Sequence, residues 1–563
     1  MLNSANASLA AGNAPSFATG DSSTPMPGGL YILSSSFNAG GNIQISTNTL
    51  ASGSNANYGL QFNPSLSMIA GGSLTISVVG NTIAMDSSSK FQSAGNLDIY
   101  EYSPNGYNGI WMGSGAIIRS TGGSVNINSV GYNALYMADQ TATIRANGNL
   151  TINLVGTGSA GTAFYNDGSV ACANAGTCGF ISDTGNLSIY GVSQSTSYAA
   201  IYIATTVIAN GSTSGNGNIT ILGMGQTGGV TFGNVSSGSA GAYSSVSAYG
   251  GINIVGYGGS SGGNGIYFAS PGPSVSANSG GILRSTTGNI TLSAYSANNA
   301  GIEAATSTNI VALAGNVVMQ GASLSGNLTG ALVSANTALA SAYSAIIAAM
   351  QTSGSPTSAT PSGFAAASTG NPILAKYWGI YWTGNIYALN NPTTFGSTAP
   401  TSGGGITMIA SVLNGSGCSS TAVCDSGAAI TILDGGNLYA YGPISITGNA
   451  APAGLNATTG VNYGIIVWST TTTIRSYAGS INMVGYADGF QTSGNFASNS
   501  DSAGIYIYDS HNIIRGYSGV SMTGIDMTGI GLYLGLWNTA GSNVIFFSVT
   551  SELEEIEKEL ARL

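Results

Sequence analysis

One short phrase recurs along this chain at intervals too long for a hairpin and too frequent for chance. It is a glycine, a small polar residue, then a few residues alternating apolar and polar. It reads GNIQIS from Gly41, GSLTIS from Gly72, GNLDIY from Gly95, GNLSIY from Gly185, GNITIL from Gly217, GINIVG from Gly251, GNVVMQ from Gly315 and GNLYAY from Gly436. Period-two alternation rich in Ile, Leu, Val and Thr and opened by glycine predicts a short, half-buried strand. A second strand family lies between these: GIW from Gly109, ALYM from Ala134, AIYI from Ala200, GIYF from Gly265, GIIVW from Gly464, GIYIY from Gly504 and GLYLG from Gly531.

A third phrase carries five of the seven lysines and arginines that precede the last thirteen residues. It reads AIIRSTGGSVNINSVGY from Ala116, TIRANGNLTINLVG from Thr143, ILRSTTGNITLSAYS from Ile282, TIRSYAGSINMVGY from Thr473 and IIRGYSGVSMTG from Ile513. Residues 124–149 hold one whole unit, SVNINSV, GYN, ALYMADQ, TATIRAN and G: three short strands with corners. The unit starts Asn42, Ser73, Asn96, Ser124, Asn149, Asn186 and Asn218 lie 31, 23, 28, 25, 37 and 32 residues apart. A period in this range with variable insertions predicts stacked repeats whose loops differ in length. Three strands per repeat without intervening helices predict a right-handed parallel β-helix, a triangular β-solenoid of about three short strands per coil. A β-sandwich would instead show hairpin turns every ~8–12 residues and no register between repeats.

The repeat breaks between 331 and 402. Residues 334–351, SANTALASAYSAIIAAMQ, place Leu339, Tyr343, Ile346, Ile347 and Met350 on a helical stripe. A Ser/Thr/Pro/Gly linker follows at 351–372, then the aromatic stretch ILAKYWGIYWTGNIYAL. The expected organisation is an N-terminal cap or leader at 1–39, β-solenoid at 40–330, a helix, linker and aromatic-rich insert at 331–402, β-solenoid again at 403–550, and a charged helical tail at 551–563. That tail, SELEEIEKELARL, holds seven charges in thirteen residues and spaces Leu553, Ile556, Leu560 and Leu563 like a coiled-coil seam. It reads as an appended segment. MLNSANASLAAGNAPSF shows no secretory signal, and the start reads as a trimmed boundary of a larger exported chain.

Bulk properties narrow the function classes. Of 563 residues, 43% are hydrophobic and only 5% charged, the opposite of the balance that leaves a chain disordered. A formal charge of −10 argues against nucleic acid, which requires a basic face. No run reaches the ~18 apolar residues of a transmembrane helix. The four cysteines form two pairs of equal spacing, Cys172 with Cys178 and Cys418 with Cys424, each in a Gly/Ser/Ala-rich loop. Such pairs close small loop disulfides in an oxidising compartment. Metal binding is the rival, but zinc favours tighter spacing and further ligands.

No catalytic constellation is legible, and no cofactor or metal is expected. Acidic residues are scattered, Asp98 with Glu101 being one close group and Asp509 with the lone His511 another. A glycosidase needs two carboxylates across one cleft, and a lyase on this fold needs an acidic cluster and a basic partner. In Asp509-Ser510-His511 adjacent strand residues point to opposite faces, which is not a triad. Asn-x-Ser/Thr at Asn149, Asn186, Asn218 and Asn289 follows from the strand opening itself. Tyr377, Trp378, Tyr381 and Trp382 form either a strand rejoining the coil or a platform for sugar rings. Arg119, Arg145, Arg284, Arg475 and Arg515 share one place in the repeat, after an apolar residue and before the Gly corner. There a guanidinium binds corner carbonyls or stacks on a tyrosine such as Tyr477; the alternative is a basic stripe for an anionic ligand.

The GN[LI]T[IL] strand openings, the Gly/Asn/Ser/Thr bias and the uneven coil length resemble the β-helical passengers of bacterial surface proteins. The likeness is to the filamentous-haemagglutinin-like exoproteins of two-partner secretion first and autotransporter passengers second, over residues 40–330 and 403–535. The resemblance implies an exported, non-enzymatic protein on the cell surface or in an extracellular fibre, associated with the outer membrane. It would serve adhesion, biofilm or a structural lattice. The expected partners are the chain itself, end to end or laterally, and glycans or receptors of host or neighbouring cells. A polysaccharide-binding or polysaccharide-degrading β-helix is the alternative, and an ice- or crystal-binding face is disfavoured by the variable coil length.

Overall fold

The structure is a computed structural model. It describes residues 36–48, 58–103, 108–157, 159–166, 178–193, 195–212, 215–233, 244–259, 263–269, 282–296, 299–304, 308–323, 378–390, 400–413, 427–433, 435–451, 462–468, 471–487, 503–508, 512–526 and 530–534, with short strands at 3–4, 7–11, 30–32 and 545–547. The strands divide between two compact units, the first carrying those up to Ser245–Ala248 and the second those from Ile252–Gly258 onward. Each unit is built of three parallel sheets, here A, B and C. The first unit has nine, eight and eight described strands in them, and the second has seven in each.

The chain visits the sheets in turn. Ile117–Ser120 lies in A, Val125–Gly131 in B and Leu135–Met137 in C, and Thr143–Ala146 returns to A. Each strand pairs with the equivalent strand one coil on: Ile117 opposes Thr143, Val125 opposes Leu150, and Leu135 opposes Phe164. This is a parallel β-helix of about three strands per coil. A parallel pair needs a long crossover, and two further strands with their corners provide it here.

In-register stacking turns the alternation in sequence into columns in space. In sheet B of the first unit Leu74, Leu97, Val125, Leu150, Leu187 and Ile219 stack on one another, and all are fully buried. Two residues along, Ile76, Ile99, Ile127, Ile152, Ile189 and Ile221 form a second buried column. Between them the outward positions carry Thr75, Asp98, Asn126, Thr151, Ser188 and Thr220.

The corner from A to B explains the glycine-led phrase. The side-chain Oδ1 of its asparagine accepts the backbone N–H at the same place one coil on. Asn42 takes Ser73 at 2.8 Å, Asn96 takes Ser124 at 3.0 Å, Asn149 takes Asn186 at 2.9 Å, and Asn186 takes Asn218 at 3.0 Å. In the second unit Asn289 takes Asn316 at 2.8 Å and Asn316 takes Gly405 at 2.7 Å. The unit starts read in the sequence are thus hydrogen-bonded neighbours. The Asn-x-Ser/Thr triplets at Asn149, Asn186 and Asn289 place their Oδ1 in this ladder.

The long insertion leaves register untouched. Ile302 opposes Ile380, Asn309 opposes Asn385 and Val317 opposes Ile406. The Asn385 Nδ2 donates to Asn309 Oδ1 at 3.1 Å across 76 residues of sequence. Loop-closure cost grows only slowly with length, so the coil resumes where it stopped.

The structure adds detail to three expectations. Segment 1–39, read as a cap or leader, contains Asn3–Ser4, Ala7–Ala11, Leu30–Ile32 and Phe37–Ala39, which pair with the strands that follow in all three sheets. Their brevity hid them. Within segment 331–402, whose aromatic stretch the sequence leaves open between a strand rejoining the coil and a platform, Ile380–Trp382 lies in sheet C and Asn385–Ala388 in sheet A. The turn Thr383-Gly384 between two three- or four-residue strands offers too little alternation to read. GNLYAY belongs to sheet A rather than B: its strand Asn437–Ala440 pairs with Asn385–Ala388 and Thr473–Ser476. The asparagine opening recurs there because Asn437 Oδ1 accepts Thr473 N at 2.8 Å, the same bridge on a different sheet. The helix at 334–351 and the tail at 551–563 lie outside the described residues.

Two features of the interior carry predictions. Gly485 of INMVGY faces the carbonyl of Gly504 across the B-to-C corner, where a Cβ would run into backbone; Gly448 meets Gly464 in the same way. Gly485→Ala should lower stability by ~1–3 kcal/mol, read from the urea midpoint at unchanged m-value. Glu101 is fully buried, opposite Ser129 in sheet B. Burial pushes its carboxyl well above the usual range, against the Ser129 hydroxyl that donates to Oε2 at 2.5 Å. The folded chain therefore holds a proton that the unfolded chain releases near pH 4.5, and stability falls as pH rises from there toward the folded pKa. Glu101→Gln should remove that slope, so its gain in melting temperature over wild type should grow from pH 4 to pH 8.

Candidate functional site

All five arginines stand at the third position of a four-residue strand of sheet A, in Ile117–Ser120, Thr143–Ala146, Ile282–Ser285, Thr473–Ser476 and Ile513–Gly516. The residue before each turns inward; Ile118, Ile144, Leu283, Ile474 and Ile514 are at most 3% exposed. Period two then puts the guanidinium on the outer face. This refines the corner reading. The arginine lies within the strand, and the next residue serves the corner. Where that residue is serine it is buried and clamps the turn: Ser120, Ser285 and Ser476 donate to the carbonyls of Gly95, Gly288 and Gly442 at 2.6–2.7 Å, and Ser182, which follows Ile181 in the same column, donates to Gly148 at 2.8 Å. Each also accepts a glycine N–H three residues on, as Gly479 N does to Ser476 Oγ at 2.9 Å. The Arg-Ser dipeptide occurs three times among the five phrases, and it is the signal that could have located this clamp.

In the first unit the outer column runs Gln92, Arg119, Arg145, Ile181. Arg145 makes a fork to Asp183, Nε to Oδ2 at 2.8 Å and Nη2 to Oδ1 at 2.9 Å. In the second unit it runs Arg284, Val311, Tyr387, Tyr439, Arg475, Arg515. Tyr387 and Tyr439 stack with centroids 5.5 Å apart. The Arg475 guanidinium lies 4.3 Å over the Tyr477 ring, a cation–π contact. Burial raises the Tyr477 hydroxyl pKa, and the positive charges of Arg475 and Arg515 work against that rise.

The outer face of sheet C carries the aromatic residues. In the first unit Trp111, Tyr136 and Tyr165 share a column, with Tyr136 and Tyr165 stacked at 5.6 Å. In the second unit the column runs Tyr267, Glu303, Tyr381, Thr431, Ile466, Tyr506, Tyr533. Tyr506 and Tyr533 stack at 4.6 Å with planes 7° apart. Burial raises the Glu303 carboxyl, whose Oε2 accepts from Asn264 Nδ2 at 2.8 Å.

The proposed sugar platform divides here. Tyr381 faces out and Trp378 lies 4.5 Å from it, both half-buried. Trp378 also packs on Ala428, Tyr463, Ile466 and Ala503. Trp382, the next residue after Tyr381, must point the other way. It is fully buried, donates Nε1–H to the Gly384 carbonyl at 2.8 Å and meets Phe268 edge-on at 6.0 Å. It is a core residue and offers no face to a sugar. Tyr377 lies outside the described residues.

Asp98 and Glu101 fall on opposite faces of sheet B. Asp98 accepts from Asn126 outside at 2.7 Å, while Glu101 is enclosed. Among the described residues no group of three His, Cys, Asp or Glu comes together, and no helix is long and apolar enough to cross a membrane. Asp509 and His511 lie outside the described residues, as do Cys172, Cys418 and Cys424; Cys178 is buried and disulfide-bonded. The arrangement offers chemistry in stripes: amides and hydroxyls on B, tyrosines on C, tyrosines and guanidiniums on A. No family model matches the chain, and no curated protein or solved structure matches it either.

Proposed function

We propose that this chain is an exported bacterial surface protein of structural and adhesive kind, its β-helix serving cell adhesion, biofilm or an extracellular filament. The observation that supports this most is the outer surface: chemistry is laid out in stripes from coil to coil, mostly amides and hydroxyls on sheet B, mostly tyrosines on sheet C, and tyrosines with arginines on sheet A. Such faces suit contact with an extended partner or a neighbouring coil stack better than turnover of a small molecule. The bonded Cys178 supports passage through an oxidising compartment, and we assign its partner as Cys172, with Cys418 and Cys424 forming the second loop.

Self-association is supported by one end of the second unit. Val520–Asp526 and Ile530–Leu534 are the last described strands of sheets B and C. Val520 and Met522 are half-buried, where Ile481 and Met483 one coil back are fully buried. Ile525 and Leu532 are 45% and 39% exposed. Among the described residues no strand of sheets B or C pairs beyond these two, and a strand edge beside apolar surface favours addition of a further coil. A second reading, polysaccharide binding, is favoured by the exposed Trp468 ring, 5.0 Å from Tyr508.

Purified protein should form filaments or concentration-dependent oligomers in electron microscopy and sedimentation. Ile525→Arg with Leu532→Arg, both at exposed positions, should abolish them without changing the melting curve. A chain that stays monomeric at high concentration overturns the assembly reading.

A further inference from the structure

We infer that Tyr506 and Tyr533 are a site of oxidative cross-linking, joined as dityrosine by peroxide and a peroxidase whose oxidation enters the chain at Trp468. The two tyrosines face each other in register on neighbouring strands of sheet C in the second unit. Their rings lie 4.6 Å apart with planes 7° from parallel, and both are half-buried. Tyr533 belongs to Ile530–Leu534, the last described strand of that sheet. The new bond would staple the end coil to the coil before it.

Register makes opposed tyrosines recur in this fold. Tyr136 with Tyr165 in the first unit, and Tyr257 with Tyr295 and Tyr387 with Tyr439 in the second, are also in register and stacked, at 4.8–5.6 Å and 10–13°. Tyr506 and Tyr533 lie nearer and flatter than these three pairs, and a path of rings leads to them from the surface. Trp468 is 51% exposed, its ring lies 5.0 Å from Tyr508, and Tyr508 lies 6.1 Å from Tyr506. A bulky oxidant meets the exposed indole before it meets a half-buried phenol. An electron lost from Trp468 is then replaced from ring to ring, and the vacancy settles on a tyrosine that has released its hydroxyl proton. Among the described residues no free cysteine thiol stands by to quench that radical.

The chemistry balances on one peroxide. Each phenol loses one electron and its hydroxyl proton, and the two phenoxyl radicals join through the ring carbons ortho to oxygen, the Cε positions. Two ring C–H bonds break, one C–C bond forms, and the displaced ring protons return to the phenol oxygens as the rings regain aromaticity. The peroxide takes up two electrons and two protons and leaves as two waters. Stacked rings hold the Cε carbons of one tyrosine against the ring of the other, so coupling needs no encounter between molecules. A bond between residues 506 and 533 closes a loop that the unfolded chain would otherwise leave free. The inference rests on the surface-protein reading only for where peroxide and a peroxidase are met. Cross-linking is read on the dilute purified chain and filament formation by microscopy, so either can fail alone.

The test is treatment of the dilute full chain with a plant peroxidase and limiting hydrogen peroxide, followed by digestion and mass spectrometry. Dityrosine fluorescence should appear, and the main cross-linked peptide should join Tyr506 to Tyr533 within one chain, two hydrogens lighter than its parts. Tyr533→Phe keeps a ring in the stack and should remove that peptide with an unchanged melting curve. Should that variant melt early, the wild-type chain unfolded in urea takes its place, and it too should lose the peptide. Trp468→Phe, at an exposed position, should lower the yield several-fold. The treated wild-type chain should release fragments of its last described coil several-fold more slowly under protease. Cross-links chiefly between chains or through Tyr517, which is 79% exposed, overturn the inference. So do an equal yield of the Tyr506–Tyr533 peptide from the unfolded chain, an unaltered yield in well-folded Trp468→Phe, or no cross-link at all.

Discussion

Everything in this molecule depends on the hydrogen bond between a strand and its counterpart one coil away. It is parallel and in register, so it fixes each residue against the residue that plays the same part in the neighbouring coil. Chemistry is thereby sorted into columns. An apolar column is enclosed, a polar column stays wet, and an arginine column sets one guanidinium beside another. The corners are held by the same logic through side chains. Asparagine Oδ1 and serine Oγ take up backbone groups that the strands leave over, as at Asn149 with Asn186 and at Ser476 with Gly442 and Gly479. That satisfies buried backbone groups without charge, which accounts for a long chain folded with so few ionisable residues.

Most of the fold was legible because this rule leaves a trace in one dimension. Ile76, Ile99, Ile127 and Ile152 announce their column by sitting in the same phrase, and that phrase recurs at the coil length. Legibility failed where the trace was short or shared. Ile380–Trp382 and Asn385–Ala388 are too brief to show alternation, which left the aromatic stretch open between a strand and a platform. GNLYAY spells a sheet B opening on a sheet A strand because both sheets bridge coils with asparagine. Tyr381 and Trp382 look alike in composition, yet adjacency in a strand sends one to the surface and the other to the core.

The surface was less legible than the core, for a physical reason. Burial selects residue type at every inward position, whereas an outward position is constrained only by its neighbours along the column. The five arginines were visible as a set. Their surroundings depend on what stands two residues beyond the residue opposite, which is Asp183 in one case and Tyr517 in another. Glu101 carries no sequence mark of its enclosure, since its column holds Val78 before it and Ser129 after it. The tyrosines of sheet C were in plain view as GIY and ALY, but their stacking is a property of register.

The pairing of Asn309 with Asn385 across 76 residues also has a meaning for how such a chain changes over time. Each corner is a port at which sequence can be added or removed while the coils on either side keep their partners. The coil then acts as a coordinate system, with position set by column and coil number and content free to vary between. New binding segments can be acquired one at a time, each tried against a scaffold whose stability does not depend on it.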